Sequence, residues 1–208
     1  MESIKPDWDK YAKNTFNPII QAHYYFTVWR NYRYLLQGLQ IPQGSLLELG
    51  SSTGQISLRL AKRYNLSPTL VDSSKYALRL ASLYYQKKEV PLISLNKSIL
   101  NLDLKQKFEL VHSHGILEHF TGQTREIALA NHIKHVQKGG WLICWVPTPD
   151  IFYRTNRWYL TRTGQWIFGF EQPLSLNEFL TFFKNRHFKL HKIRRVPGWI
   201  GLAGQNII

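Results

Sequence analysis

The chain has 208 residues, enough for one domain with a sizeable core. Its 44% apolar and 19% charged content excludes a disordered polymer. Lys and Arg outnumber acids 27 to 13, a net charge of +14, which favours anionic partners such as nucleic acid, acidic lipid, or a phosphorylated or carboxylated substrate. Half of that excess lies in residues 151–208, where nine Lys or Arg face two acids, Glu171 and Glu178. The single cysteine, Cys144, lies in the apolar run Trp141 to Val146 and excludes an intrachain disulfide. It reads as an inert core residue in a reducing compartment. The opening Met1 to Trp8 has no apolar core of a signal peptide, and no run approaches the roughly 18–20 apolar residues of a membrane span. A soluble, cytoplasmic protein is expected.

In chain order, Tyr24, Tyr25, Val28, Tyr32, Leu35 and Leu36 recur at helical spacings and predict a helical segment over 7–38, ended by Gly38 and Pro42. A strand is predicted at 45–49, a helix at 54–64 and a strand at 68–71. A helix with Ala77, Leu80, Ala81 and Tyr84 on one face follows at 73–88. A short strand at 91–95 comes next, then a connection at 97–107 and a strand at 108–112. A helix at 122–137 carries the stripe Ile127, Ala130, Ile133 and Val136, and Lys138-Gly139-Gly140 turns the chain into a strand at 141–146. Residues 147–172 show no clear periodicity and are rich in Tyr, Trp and Arg. Ser175 and Glu178 form a capping box that opens a helix at 176–185. Strands at 187–195 and 199–207 are joined by a turn at Val196-Pro197-Gly198, so they pair antiparallel. The alternation of strands and helices before them implies a mostly parallel sheet.

The chemistry concentrates at two strand ends. Ser45-Leu46-Leu47-Glu48-Leu49-Gly50-Ser51-Ser52-Thr53-Gly54 is a buried strand that stops near an acid, then a turn of small residues, then a helix. Such a turn brings backbone N–H groups at a helix N-terminus close to a ligand. Twenty-two residues after Gly50, Asp72 ends the next apolar run, where an acid reaches a ribose diol in open α/β sheets. Neither G-x-G-x-x-G nor G-x-x-x-x-G-K-[ST] is present, so nicotinamide dinucleotides and P-loop chemistry are the weaker readings.

The first run resembles motif I of the class I S-adenosylmethionine-dependent methyltransferases, with Ser52 in place of the usual middle glycine. Two further blocks are similar to the same family, in its type 11/type 23 group. Phe108-Glu109-Leu110-Val111-His112-Ser113-His114-Gly115-Ile116-Leu117-Glu118-His119 matches its fourth-strand pattern, and Lys138-Gly139-Gly140 its K-P-G-G-like turn. The resemblance implies an α/β fold with a Rossmann-like seven-stranded sheet, helices on both faces and an antiparallel C-terminal hairpin. It implies one domain over 1–208, with an N-terminal helical lid (1–40), a cofactor core (45–147), a substrate-side insertion (148–174) and a C-terminal helix and hairpin (175–208).

It further implies that Glu48 and the Gly50, Ser51, Ser52, Thr53, Gly54 backbone hold the amino-acid end of S-adenosyl-L-methionine. Asp72 and Ser73 hold the ribose, Ser98 and Ile99 lie against the adenine, and His114 and Gly115 pass the methionine moiety. Tyr11 lies in the lid segment, either packing or touching the ligand. His119 is a candidate general base. His112, His114, His119 and Glu118 invite a metal site, but Gly115 stands where some relatives carry a further acid, so no metal is expected. The acceptor implied is a small or lipid-like molecule, possibly anionic, methylated on O, N or C by direct displacement. Two other readings stay open: an RNA or protein methyltransferase, which the charge favours but no nucleic-acid motif supports, and a non-enzymatic module that keeps the fold. Oligomeric state is not legible.

Overall fold

The computed structural model describes residues 6–184 and 188–208. The expected ends of the helix at 185 and of the strand at 187, and the first five residues of the lid, lie outside the described residues. Seven strands form one sheet: β1 (Gly44–Leu49), β2 (Leu66–Asp72), β3 (Ile93–Asn96), β4 (Phe108–His114), β5 (Val136–Pro147), β6 (Phe188–Val196) and β7 (Trp199–Asn206). Their order is β3-β2-β1-β4-β5-β7-β6. β3, β2, β1, β4 and β5 run parallel, and β7 is antiparallel to both β5 and β6. The sequence direction reverses between β1 and β4, and ligands of open α/β sheets bind at the carboxyl ends of strands flanking such a switch.

Alternation along the strands builds a core on each face of the sheet. Leu46, Leu110, Ile143 and Trp145 point to one side, where they meet Tyr32, Leu35, Ile56 and Leu60 from helices α3 (Trp29–Leu36) and α4 (Gln55–Tyr64). Leu47, Val111, Leu142 and Cys144 point to the other, against Ala128 and Leu129 of α6 (Gly122–Lys134) and Phe179 and Phe183 of α8 (Leu176–Lys184). This is the period-two pattern of a sheet covered on both faces. Burial pushes the Cys144 thiol up to about 12, as befits an inert core residue. α5 (Lys75–Lys87) packs Leu78, Ala81 and Tyr85 against Leu70.

Several boundaries differ from the sequence expectation. The helical segment at 7–38 is broken into α1 (Trp8–Asn14), α2 (Pro18–His23), a π-helical stretch Tyr24–Val28, and α3. Pro18 cannot donate an amide to a preceding helix and instead starts a new one behind the Asn17 cap. α6 stops at Lys134, not 137, and β5 begins at Val136. Residues 151–162, expected to be irregular, form a helix, α7 (Ile151–Arg162), capped by Asp150, whose side chain accepts from Tyr153 N. None of its residues is buried, so it carries no apolar stripe to announce it. The capping box of α8 is half made: Ser175 Oγ accepts from Glu178 N, while the Glu178 carboxylate pairs with Arg125.

Candidate active site

At the carboxyl ends of β1, β2 and β4 lies a cavity of about 650 Å³. Its wall holds Glu48, Gly50, Ser51, Ser52, Thr53, Asp72, Ser73, Ser98, Ile99, His114, Gly115, His119 and Tyr11 together. Of the residues singled out in the sequence, Gly54 and His112 stand apart from it. Gly54 is the left-handed cap of α4 (φ +63°), and a Cβ there would lie 2.4 Å from Leu70 Cδ1 and 3.0 Å from the Tyr85 hydroxyl.

The turn after β1 is braced by β2. Gly50 N and Ser51 N both donate to Val71 O (2.9 and 3.1 Å), and Ser52 N donates to Asp72 Oδ2 at 2.7 Å. These amides therefore fix the loop; they do not stand free for a ligand, which corrects the simple picture of an open amide cradle. Ser52 adopts φ +47°, the left-handed conformation that glycine takes at no steric cost. The bond to Asp72 holds it there. Asp72 Oδ1 accepts from Ser74 N at 2.8 Å, and burial raises the carboxyl against these two opposing donors.

The electrostatics of the wall are unusual for their unpaired polar atoms. Glu48 Oε2, Ser51 Oγ, Ser52 Oγ, Gln55 Oε1, His114 Nδ1 and Glu118 Oε2 are all buried, all belong to residues of the cavity wall, and have no hydrogen-bond partner among the described residues. Buried polar atoms in native proteins nearly always have partners, so such a cluster at one cavity calls for a polar ligand. Burial pushes the Glu48 carboxyl up to about 8. Its nearest basic neighbour, His112 Nε2 at 3.7 Å, is held down to about 3 by its own burial and stays neutral. Burial likewise lowers His114 to about 4; its ring stacks on Trp199 with centroids 4.9 Å apart.

α1 crosses the cavity's open side. Asp7 N donates to Ile167 O (2.9 Å), Ser74 Oγ donates to Asp9 (2.7 Å), and the Trp8 ring meets His119 edge-on at 4.8 Å. At its end Thr15 Oγ1 lies 3.0 Å from Thr53 Oγ1, and Gln55 Nε2 donates to Thr15 O at 2.9 Å. Tyr11 and Tyr24 share a 2.7 Å hydroxyl–hydroxyl bond, and burial raises the pKa of both.

Beside α1, a further stretch of the wall is built by residues that sequence reasoning did not bring together. Trp166, Phe168 and Phe170 line it with Ile116 and Phe120. Glu171, also from this loop, lies 3.8 Å from His119 Nε2, and Glu118 lies 4.0 Å from the same nitrogen. Burial raises the carboxyls of both acids, Glu118 well above its usual range with Glu171 adding to the effect. His119 Nδ1 lies 3.0 Å from Phe170 O; the carbonyl can only accept, so Nδ1 carries the proton and Nε2 keeps its lone pair. The aromatics of 147–172, the expected substrate-side insertion at 148–174 and the fourth-strand block through His119 were the sequence signals for this wall; the pairing of Glu171 with Glu118 had none.

Residues 46–140 match the family model of the methyltransferase domain. The whole chain also superposes on solved methyltransferases. The N-methyltransferase NodS from Bradyrhizobium japonicum WM9, in complex with S-adenosyl-L-homocysteine, shares 15% identity at a TM-score of 0.67, covering 93% of this chain and 90% of that one. Magnesium protoporphyrin IX methyltransferase from Synechocystis PCC 6803, with S-adenosyl-L-homocysteine bound, gives 11% identity, a TM-score of 0.65 and coverage of 90% and 98%. A chain of the complex of the Haloferax volcanii Trm112 methyltransferase activator gives 14% identity, a TM-score of 0.75 and coverage of 98% and 99%. No curated protein matches the sequence significantly. A methyltransferase-domain match over 46–140 thus lies on a fold shared with solved S-adenosylmethionine-dependent methyltransferases, which the chain resembles.

Proposed function

We propose that the cavity binds S-adenosyl-L-methionine at the ends of β1, β2 and β4 and presents its methyl group to a small or lipid-like acceptor beside Glu118, His119 and Glu171. The observation that carries this reading is the set of buried, unpartnered polar atoms on that wall. They fit the group: a carboxylate oxygen of Glu48 suits the methionine ammonium, the Ser51 and Ser52 hydroxyls suit its carboxylate, and Asp72 stands where ribose hydroxyls would donate. Ser98 and Ile99 would meet the adenine.

When bound, the cofactor would supply a methyl group activated on a sulfonium, with a neutral thioether as the leaving group. The chain's part is to hold the acceptor in line and keep water away. α1 covers the cavity as a lid, with Tyr11 facing inward, and Trp166, Phe168 and Phe170 offer an apolar bed to the acceptor. When the nucleophile is a hydroxyl, the lone pair on His119 Nε2 can take its proton. Enclosure by aromatic walls favours a small molecule, or one end of a lipid, over a folded RNA or protein. No helix among the described residues is long and apolar enough to cross a membrane, and the unpaired Cys144 supports a cytoplasmic setting.

Incubating the protein and radiolabelled S-adenosylmethionine with fractionated metabolite extracts tests the reading. Label transferred to a small molecule supports it. Label in RNA or protein alone would move the acceptor class, and no transfer to any fraction would leave the fold without this activity.

A further inference from the structure

Glu118, His119 and Glu171 converge although 53 residues separate the first from the last, and each offers one ligand atom so that the three lie within 4.8 Å of one another. Glu118 is 2% exposed and Glu171 8%. Two buried acids this close together are relieved either by holding a proton, as their raised carboxyls do here, or by a cation between them. Arg125, the nearest candidate, is engaged elsewhere: it donates to Phe120 O and Gln172 O and pairs with Glu178. Arg157 donates to the Glu171 main-chain carbonyl and to the Tyr153 hydroxyl. Among the described residues the side-chain ion pairs of Glu118 and Glu171 lead only to His119, whose imidazole burial shifts toward the neutral form.

Two further details point to a ligand. Glu118 Oε2 is buried on the cavity wall with no hydrogen-bond partner among the described residues. His119 is oriented by the bond from Nδ1 to Phe170 O, the arrangement that fixes the tautomer of metal-binding imidazoles. Glu171 Oε2 is held by the Tyr153 hydroxyl at 2.7 Å, leaving Oε1 toward His119.

We propose that Glu118, His119 and Glu171 form a divalent cation site at the acceptor end of the cavity. Glu171 comes from the loop before α8. Two carboxylates match the charge of a divalent ion, and one imidazole with two oxygens suits Mn²⁺, Mg²⁺ or Zn²⁺. Around such an ion, neighbouring ligands stand about 3 Å apart and opposite ones about 4 Å, so side-chain rotations of about 1 Å close the site. Three protein ligands leave positions for an acceptor that binds the ion through oxygen. With Nε2 on the ion, His119 would not also serve as the base, and the ion would lower the acceptor hydroxyl's pKa in its place. The use of the ion in methyl transfer rests on the methyltransferase reading; the site itself does not.

Chelator-treated full-length protein is titrated with Mn²⁺, and then with Zn²⁺, by calorimetry, with free Mn²⁺ followed by electron paramagnetic resonance. S-adenosylhomocysteine is titrated in parallel. One equivalent should bind, and Glu118→Gln, His119→Ala and Glu171→Gln should each weaken it tenfold or more while circular dichroism shows each variant folded. Glu171→Asp, which keeps the charge on a shorter arm, should fall between and covers the case of a glutamine variant that does not fold. Protein that binds S-adenosylhomocysteine but neither metal overturns the cation site and leaves the methyltransferase reading intact. Metal binding that none of the variants alters also overturns it. Metal binding without S-adenosylhomocysteine binding upholds the site and overturns the cofactor reading.

Discussion

Glu48 offers the sharpest test of how the cofactor's amino-acid end is held. Burial places its carboxyl at about 8, so the charged form is the minority in the free protein at neutral pH. If the ionised carboxylate is what holds the ligand's ammonium, apparent affinity scales with the ionised fraction. That fraction is about 0.9 at pH 9, about 0.09 at pH 7 and about 0.01 at pH 6, so affinity should fall about tenfold per pH unit below 8. Binding at pH 7 should release about 0.9 proton from this group. Glu48→Gln keeps the shape and leaves no hydrogen bond of Oε2 unmade, since that atom has no partner among the described residues. Calorimetry with S-adenosylhomocysteine at pH 6 and 9, in buffers of low and high ionisation enthalpy, reads both quantities. The ligand's own ammonium titrates identically against both proteins and cancels in their ratio. Wild type and variant should converge at pH 6 and separate above pH 8. A ratio constant across this range, with equal proton release, would refute the reasoning.

The same carboxyl affects stability. Its folded value of about 8 lies above the ordinary 4.5, so between these pH values the native chain holds a proton that the unfolded chain has lost. Stability is therefore lost as pH rises through that window, by up to about 1.4 kcal/mol per pH unit from this group, and Glu48→Gln should gain on wild type in urea melts between pH 5 and pH 8. The buried histidines act in the opposite sense: His112 is held to about 3 and His114 and His132 to about 4, below the ordinary 6.5. The unfolded chain takes up protons that the native one refuses, so these groups cost stability as pH falls below 6.5; replacing His132 by Leu should make the melts at pH 5 and 7 more alike, and an unchanged difference would contradict this. Gly50→Ala places a Cβ 2.7 Å from Ile116 Cγ1 at φ +68°, so it should cost at least the ~1–2 kcal/mol of a left-handed residue and weaken S-adenosylhomocysteine binding, both read by melting with and without ligand. Gly201→Ala drives a Cβ to 2.4 Å from the buried Trp145 indole; overpacking of this kind costs about 1–3 kcal/mol, and an unshifted thermal midpoint would show that β7 yields.

Local features of the sequence sufficed to bring together the wall of the cavity at the ends of β1 and β2. Glu48, the turn through Thr53, and Asp72 lie on two consecutive strand ends, so strand periodicity and small-residue spacing place them together. Even Ser52, which departs from the motif, fits because a contact within the same unit, its amide on Asp72, holds the left-handed turn. The meeting of Glu118 with Glu171 was not legible, although His119 and the 148–174 insertion are expected on the substrate side. Glu118 and Glu171 meet only because β5 and α7 intervene and the chain then returns past η-turn residues 117–119, Gln172 N donating to Glu118 O at 2.7 Å. α7 itself buries no residue, so no apolar stripe marked it. The break at Pro18 is written in the sequence, but the apolar and aromatic residues on either side share helical spacing and hide it. Thr15 and Gln55 join the site through one carbonyl and one hydroxyl, contacts that no periodicity encodes.

The central claim is that the cavity at the ends of β1, β2 and β4 is an S-adenosylmethionine site. The most direct test is calorimetric titration of S-adenosylmethionine and S-adenosylhomocysteine into the wild type and into Asp72→Ala, with folding of both checked by circular dichroism. Micromolar binding that the variant weakens tenfold or more, about 1.4 kcal/mol, is the result expected. Folded wild type that binds neither ligand, or a variant that binds both as well as wild type, would contradict the account.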